Sequence, residues 1–143
     1  MPRQIEFRGF NRCTNTWSYA ELKSILNEQA YNPIDYFKVD PETVTQSIGM
    51  KDRSGKNIFE GDIVAIEVPA YDLSISSYPY TVERCLGIIE YDENNVTYKI
   101  QMEAVSEYVC EFTPHEIEIV GNIFENPDLV SWRTNKNASA ETH

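Results

Sequence analysis

Residues 46–68, QSIGMKDRSGKNIFEGDIVAIEV, carry the clearest strand and turn signals of the chain. Asp52 followed by Gly55 fits a tight turn, because the aspartate accepts a local hydrogen bond and the glycine supplies a positive φ. A corner follows at residues 60–62, and residues 63–68 are rich in β-branched side chains, as expected of a buried strand. The stretch therefore predicts a strand, a tight turn and a second strand in quick succession.

Residues 46–64 resemble the signature of the YopX family of phage and prophage proteins. Residues 5–10, 87–91 and 120–129 are similar to the opening strand, the middle strand and the closing segment of that family, in the same order. The resemblance implies a fold and a phage setting, and it implies no mechanism. The signature residues to which it assigns structural roles are Gly49, Asp52, Gly55, Gly61, Asp62, Gly87, Gly121, Asn122, Asn126 and Pro127.

The expected fold is α+β and predominantly β. Residues 1–42 are predicted to form a β-hairpin and a helix, in which Ser18 and Glu21 fit a capping box and apolar residues at helical spacing continue to Ala30. Five short strands from about Gln46 to Phe124, with one long early loop, suit a small SH3-like β-barrel over residues 43–130. Residues 131–143 are nearly free of apolar side chains and are predicted to be a disordered tail.

The chain has a formal net charge of −11, and this charge is unevenly distributed. Residues 1–56 contain eight Lys/Arg and seven Asp/Glu, whereas residues 57–143 contain four and sixteen. An acidic chain repels phosphate, so general nucleic-acid binding by the C-terminal part is disfavoured. Two interpretations stay open: the charge keeps a β-rich protein soluble, or an acidic face docks a basic host protein, as a nucleic-acid mimic would.

No apolar run approaches the roughly 20 residues that span a bilayer, and no apolar signal segment opens the chain. We therefore expect a cytoplasmic protein without a membrane partner, and the resemblance to the YopX family implies that this is the cytoplasm of a bacterial host. Three widely spaced cysteines without a CxxC pair are typical of a reducing compartment. Together with the two histidines they lack zinc-ligand spacing, so neither a metal nor a cofactor is expected; these residues are Cys13, Cys85, Cys110, His115 and His143.

Two stretches are candidate partner surfaces. The loop over residues 69–80 carries Tyr71, Tyr78 and Tyr80, which either fold back over the core or provide a rim for a partner protein. The turn after residue 50 carries Lys51, Arg53 and Lys56, with Arg3, Arg8 and Arg12 as further cations of the N-terminal half. This basic hairpin is either a solvated tip or a small patch that contacts phosphate.

The sequence is compatible with three classes of function. No nucleophile motif, phosphate loop or HExxH is present, so catalytic residues are not predicted, although an unrecognised enzyme stays as one class. The favoured class is a non-enzymatic module that binds a host or phage protein. The alternative is a nucleic-acid-associated barrel that uses the basic hairpin. Exposed strand edges and an apolar stripe also predict self-association through the N-terminal subdomain.

Overall fold

A computed structural model of the chain describes residues 5–22, 38–70 and 81–133. These residues form a mostly β protein with two antiparallel sheets and one short helix near the C-terminus. The strands of the described part are β1 (Glu6–Asn11), β2 (Thr16–Glu21), β3 (Thr45–Lys51), β4 (Asn57–Phe59), β5 (Asp62–Ala70), β6 (Thr81–Asp92), β7 (Thr97–Gln101), β8 (Ser106–Tyr108) and β9 (Glu118–Asn122). Short 3₁₀ turns lie at Pro41–Thr43, Val109–Glu111, Pro114–Glu116 and Pro127–Val130.

The first sheet has the strand order β2-β1-β3-β4. β1 and β2 form a hairpin, and β3 lies on the other side of β1, where Arg8 pairs with Thr45. The fully buried Thr43 fixes this arrangement, because its hydroxyl oxygen accepts a hydrogen bond from the Phe10 backbone N–H at 2.8 Å. The sheet therefore takes strands from both sides of the boundary predicted after residue 42, and the division into subdomains stays a prediction.

The capping box predicted at Ser18 and Glu21 is wrong, because both residues lie inside strand β2. Pairing with β1 engages the backbone of this segment, and Trp17 packs on Phe10 with ring centroids 4.8 Å apart. Burial of aromatic surface across the hairpin outweighs the local capping preference. The rest of the predicted helix, residues 23–30, lies outside the described residues.

The second sheet has the order β8-β7-β6-β5-β9 and curls into a half-barrel. Its β-branched strands bury one apolar face, as the alternating pattern predicts. Ile58 of β4 is fully buried in the same cluster, so the hairpin of β3 and β4 packs onto the half-barrel. The cluster consists of Ile58, Val64, Ile66, Ile89, Ile100, Met102, Val109 and Ile117.

A second apolar cluster lies around Ile63, Ile88 and Val130. Trp132 is partly buried against it, and residues 131–133 are helical. The predicted disordered tail therefore does not begin at Ser131, because an indole side chain gains more from burial than a one-turn helix costs to order. Residues 134–143 lie outside the described part. Within that part, no helix is long and apolar enough to cross a membrane.

The turn between β3 and β4 has the predicted geometry. Gly55 has a φ of 83°, and its backbone N–H donates to the Asp52 carbonyl oxygen at 3.0 Å. A Cβ built at Gly55 meets no atom within 4 Å, so the backbone conformation alone restricts this position.

We expect Gly55→Val to lower the free energy of unfolding by about 1–3 kcal/mol, because a β-branched residue is strained at positive φ. Gly55→Asn is the matched control: asparagine tolerates the left-handed region, so its loss should be smaller. Urea denaturation measures both changes. An unchanged midpoint for Gly55→Val would contradict the turn geometry.

Candidate functional site

Asp52, a signature residue, fastens the β3–β4 turn to strand β9. Its Oδ1 accepts hydrogen bonds from the backbone N–H groups of Ser54 (2.9 Å) and Lys56 (3.0 Å), and its Oδ2 accepts one from Ile119 (3.0 Å). Burial by itself raises the pKa of the Asp52 carboxyl, but these three bonds and the charge of Lys56 outweigh burial and lower the pKa. The carboxylate therefore stabilises the contact between the two sheets.

Asp62 forms a buried ion pair with Arg8 between the first sheet and the half-barrel. Arg8 Nη2 lies 2.7 Å from Asp62 Oδ1, and the exposed fractions of the two side chains are 7% and 2%. The geometry at Arg8 Nη2 does not meet the angular requirement of a hydrogen bond, so the attraction between the two side chains is that of their charges. Asp62 Oδ2 accepts a hydrogen bond from the Phe59 backbone N–H at 2.8 Å.

Two aromatic rings enclose the Arg8 guanidinium. Its central carbon lies 4.3 Å from the ring centroid of Trp17 and 4.7 Å from that of Phe59, both within the range of cation–π attraction. Arg8 Nε also lies 3.3 Å from Thr45 Oγ1. Burial raises the pKa of the Asp62 carboxyl, and the attraction of Arg8 and the Phe59 hydrogen bond offset this only in part.

The segment after β9 completes this sheet junction. Asn122 is buried, and its Oδ1 accepts the backbone N–H groups of Phe124 (3.0 Å) and Glu125 (2.9 Å). Glu125 accepts hydrogen bonds from the Trp17 indole N–H and the Asn122 amide, and these bonds lower the pKa of its carboxyl. We use the name sheet junction for Arg8, Trp17, Phe59, Asp62, Asn122 and Glu125.

The remaining signature residues lie at or near this junction, or in the turns and strands that support it. Asn126 Oδ1 accepts the backbone N–H of Asn122, and a Cβ at Gly121 would lie 2.6 Å from that oxygen, so only glycine fits there. Gly61 forms the corner before β5. Gly49 lies in β3 and Gly87 in β6, and Pro127 opens the last 3₁₀ turn.

Sequence reasoning found Asp62 and Asn122 but missed Arg8, Trp17 and Glu125 as their partners. Arg8 was grouped with the surface cations of the basic hairpin, and that grouping is wrong because its side chain is buried. The available signal is the position of Arg8 in an alternating strand, on the same face as Phe10. Because the polar groups of the junction engage one another, its arrangement indicates a structural role.

The basic hairpin is partly neutralised. Arg53 Nη1 lies 3.1 Å from Glu118 Oε2, and Arg84 approaches the other oxygen of the same carboxylate at 3.7 Å. Lys51 and Lys56 are exposed. The patch therefore presents less free positive charge than its sequence indicates.

The tyrosines, cysteines and histidine named in the sequence analysis do not form a common site in the part of the chain that the structure describes. Tyr71, Tyr78 and Tyr80 lie outside the described residues. Cys13 and Cys110 are exposed and Cys85 is half-buried, all as free thiols. His115 lies exposed in a 3₁₀ turn. Residues 5–22, 38–70 and 81–133 contain no group of three or more His, Cys, Asp or Glu that could hold a metal ion.

An open groove of about 700 Å³ runs between β3 and the hairpin of β6 and β7. Its aromatic wall consists of Tyr91 and Tyr98, which pair across the hairpin with ring centroids 5.2 Å apart in an edge-on arrangement. Glu60 and Glu93 supply carboxylates. We name it the hairpin groove, and it is lined by Gln46, Ile48, Glu60, Tyr91, Glu93, Val96, Thr97 and Tyr98.

Val96, at the tip of the hairpin, combines two unfavourable features. Its φ is 53°, a left-handed conformation in which a β-branched residue is strained. Its side chain is 73% exposed, so no packing within the described fold compensates this strain.

Glu60, which also lines the hairpin groove, has a carboxyl group with a raised pKa. Burial raises this pKa, and the charge of Glu90 raises it further.

These features define a mostly β protein whose two sheets are held together by a buried Arg–Asp pair and by an aspartate that accepts three backbone hydrogen bonds. The hairpin groove, which is acidic and aromatic, is open at its surface. The chain belongs to the YopX family: the family model described as YopX protein matches residues 6–131. A comparison with curated proteins finds no match.

Proposed function

We propose that the protein is a non-enzymatic module that binds a protein partner, and that the hairpin groove is its docking surface. The single observation that carries the proposal is that Val96, at the rim of the groove, has a strained backbone conformation and an exposed side chain. Residues held in sparsely populated backbone conformations cost about 1–3 kcal/mol and cluster at functional sites. A partner that covers Val96 would use apolar surface that the free protein leaves in water.

Charge complementarity favours a basic segment as the occupant. Glu60 and Glu93 lie in the groove, and the region from residue 57 onward contains sixteen acidic against four basic residues. Tyr91 is 40% exposed and presents an aromatic surface to an arginine or lysine side chain. A cation beside Glu60 would also relieve the repulsion between its carboxylate and that of Glu90.

The contacts of the other carboxylates support a binding role over catalysis. Asp52 holds three backbone N–H groups, Asp62 is paired with Arg8, and Glu125 accepts from Trp17 and Asn122. Each of these carboxylates is committed to a contact between the sheets. The partial neutralisation of the basic hairpin by Glu118 likewise weighs against a nucleic-acid partner.

We further propose that the half-barrel is related to SH3-like barrels. Its sheet order, in which β9 lies beside β5 and β5 to β8 follow in sequence, supports this relation, as do the 3₁₀ turns directly before β9. Membership of the YopX family supports a phage or prophage accessory role in the cytoplasm of the bacterial host. The partner would then be a host or phage protein.

The test uses a fluorescently labelled ten-residue peptide that alternates lysine with leucine. We expect Val96→Asn to raise the free energy of unfolding by about 1 kcal/mol, because asparagine relieves the strain at positive φ. The same substitution should weaken peptide binding several-fold, because the apolar rim is lost. Fluorescence anisotropy and urea denaturation measure the two effects.

Charge variants provide the control. Glu60→Gln combined with Glu93→Gln should weaken peptide binding roughly tenfold, equivalent to about 1.4 kcal/mol. Glu83→Gln combined with Glu103→Gln removes the same charge from exposed positions outside the groove and should change binding no more than about twofold. Equal losses in the two pairs would show attraction to net charge only and would refute the groove as the docking surface.

A further inference from the structure

We infer that the outer edge of strand β2 pairs with β2 of a second copy of this chain, around a twofold axis at Tyr19. This inference is independent of the hairpin groove. The edge strands of the first sheet are β2 and β4, and β2 is the longer of the two, with six residues compared with three. Long edge strands with unpaired backbone groups are the usual templates for strand addition.

The register identifies the backbone groups that face outward. The Leu22 N–H donates to the Ile5 carbonyl oxygen at 2.8 Å, so this pair is hydrogen-bonded in the hairpin. Bonded pairs alternate along an antiparallel ladder, so Ala20 and Ser18 also face β1. The backbone N–H and C=O groups of Trp17, Tyr19 and Glu21 therefore point away from β1.

The outward edge is self-complementary. With Tyr19 opposite Tyr19 of the second copy, Trp17 lies opposite Glu21 in both directions, and these three pairs are of the hydrogen-bonded type. No like charges face each other in this register, and the two tyrosine rings form a cross-strand aromatic pair. Tyr19 is 55% exposed in the described fold, so its side chain is available for this contact.

The other edges of the described sheets fit a second copy less well. The outer edge of β9 is covered, because Asp52 accepts the Ile119 N–H and the Arg53 N–H donates to the Ile117 carbonyl oxygen at 2.9 Å. β8 is short and carries Glu107, and the symmetric pairing of two acidic half-barrels brings like charges together. Pairing through β2 instead joins the two N-terminal halves, whose described residues up to residue 56 include six basic and five acidic side chains, and it keeps the acidic half-barrels apart.

Sedimentation equilibrium of the full chain from micromolar to millimolar concentration tests the inference. We expect the wild type to approach twice the 16.5 kDa mass of one chain. Tyr19→Lys places two cations on the axis and should raise the dissociation constant at least tenfold. Tyr19→Pro removes the outward N–H together with the ring contact on Phe59, and it should yield a monomer that stays folded, because an edge strand tolerates proline where the N–H faces outward.

Val105→Lys is the matched control: it also replaces an apolar side chain that is 55% exposed by lysine, at a position outside β2 and outside the hairpin groove, and it should leave the dimer intact. Hydrogen exchange adds a local readout: the amides of Trp17, Tyr19 and Glu21 should be protected in the wild type and exchange quickly in Tyr19→Lys. A wild type that stays at the mass of one chain overturns the inference. So does a dimer that persists in both Tyr19 variants, because another surface then holds the copies together.

Discussion

Asp62→Asn is expected to lower the free energy of unfolding by about 3–5 kcal/mol, the largest effect of any single substitution considered for this protein. The amide keeps an oxygen that accepts the Phe59 N–H, so the substitution removes mainly the charge. Arg8 then stays buried, at an exposed side-chain fraction of 7%, without its direct ion-pair partner, and only the more distant carboxylate of Glu125 still attracts its charge. Uncompensated buried charges carry costs of this size. Guanidinium denaturation at neutral pH measures the loss.

The double variant Arg8→Met with Asp62→Asn is the control for this interpretation. Methionine fills the space between the Trp17 and Phe59 rings without a charge. We expect the double variant to be more stable than Asp62→Asn, so that the two changes are far from additive. Additive losses would mean that Arg8 and Asp62 stabilise the fold independently and that the ion pair does not lock the sheets.

Asp52→Ala is expected to lower the free energy of unfolding by roughly 3 kcal/mol. It removes three hydrogen bonds from backbone N–H groups to a carboxylate, each of the stronger, charge-assisted kind. One of them joins the β3–β4 turn to β9, so both sheets lose a contact. Asp92→Ala is the matched control, because Asp92 also accepts hydrogen bonds in a turn but holds only its own hairpin. The stability lost in Asp92→Ala should be much smaller than that lost in Asp52→Ala.

The stability that Asp52 contributes to the fold is expected to decrease as the pH falls. The pKa of this carboxyl is lower in the folded protein than the value of about 3.9 expected in the unfolded chain. The stability that it contributes is therefore present above pH 4 and is lost as the pH falls through the folded pKa. The difference between wild type and Asp52→Ala should shrink in acid. A difference that is constant from pH 7 to pH 2.5 would contradict the charge-assisted bonds.

Local signals predict the turn correctly, but they predict the start of a helix at Ser18, where the structure has a strand. Asp52 and Gly55 lie as expected, because a turn is determined by residues that are neighbours in sequence. The pattern Ser18–Glu21 has the same spacing as Thr113–Glu116, yet only the second is a capping box, with the Thr113 N–H donating to Glu116 Oε1 at 2.9 Å. The difference lies in long-range packing of β2 on β1, which the local pattern does not contain.

The candidate surfaces were harder to predict than the strands. The groove brings together Gln46 of β3 and Tyr98 of β7, whose proximity depends on how the two sheets pack. A positive φ at Val96 contradicts the usual preference of valine, so residue type alone gave no signal. The apolar residues at 109–112 predict a further short strand, whereas Val109–Glu111 form a 3₁₀ turn that buries Val109. Alternation of apolar residues does not separate these two outcomes in short segments.

The central claim is that the hairpin groove is a docking surface for a basic segment, and amide chemical-shift mapping with the lysine–leucine peptide tests it most directly. We expect the shifts to concentrate on Ile48, Glu60, Tyr91, Val96 and Thr97, and to vanish with a peptide that alternates glutamate with leucine. Shifts centred on Arg53 and Arg84, or spread evenly over all acidic positions, would contradict the claim.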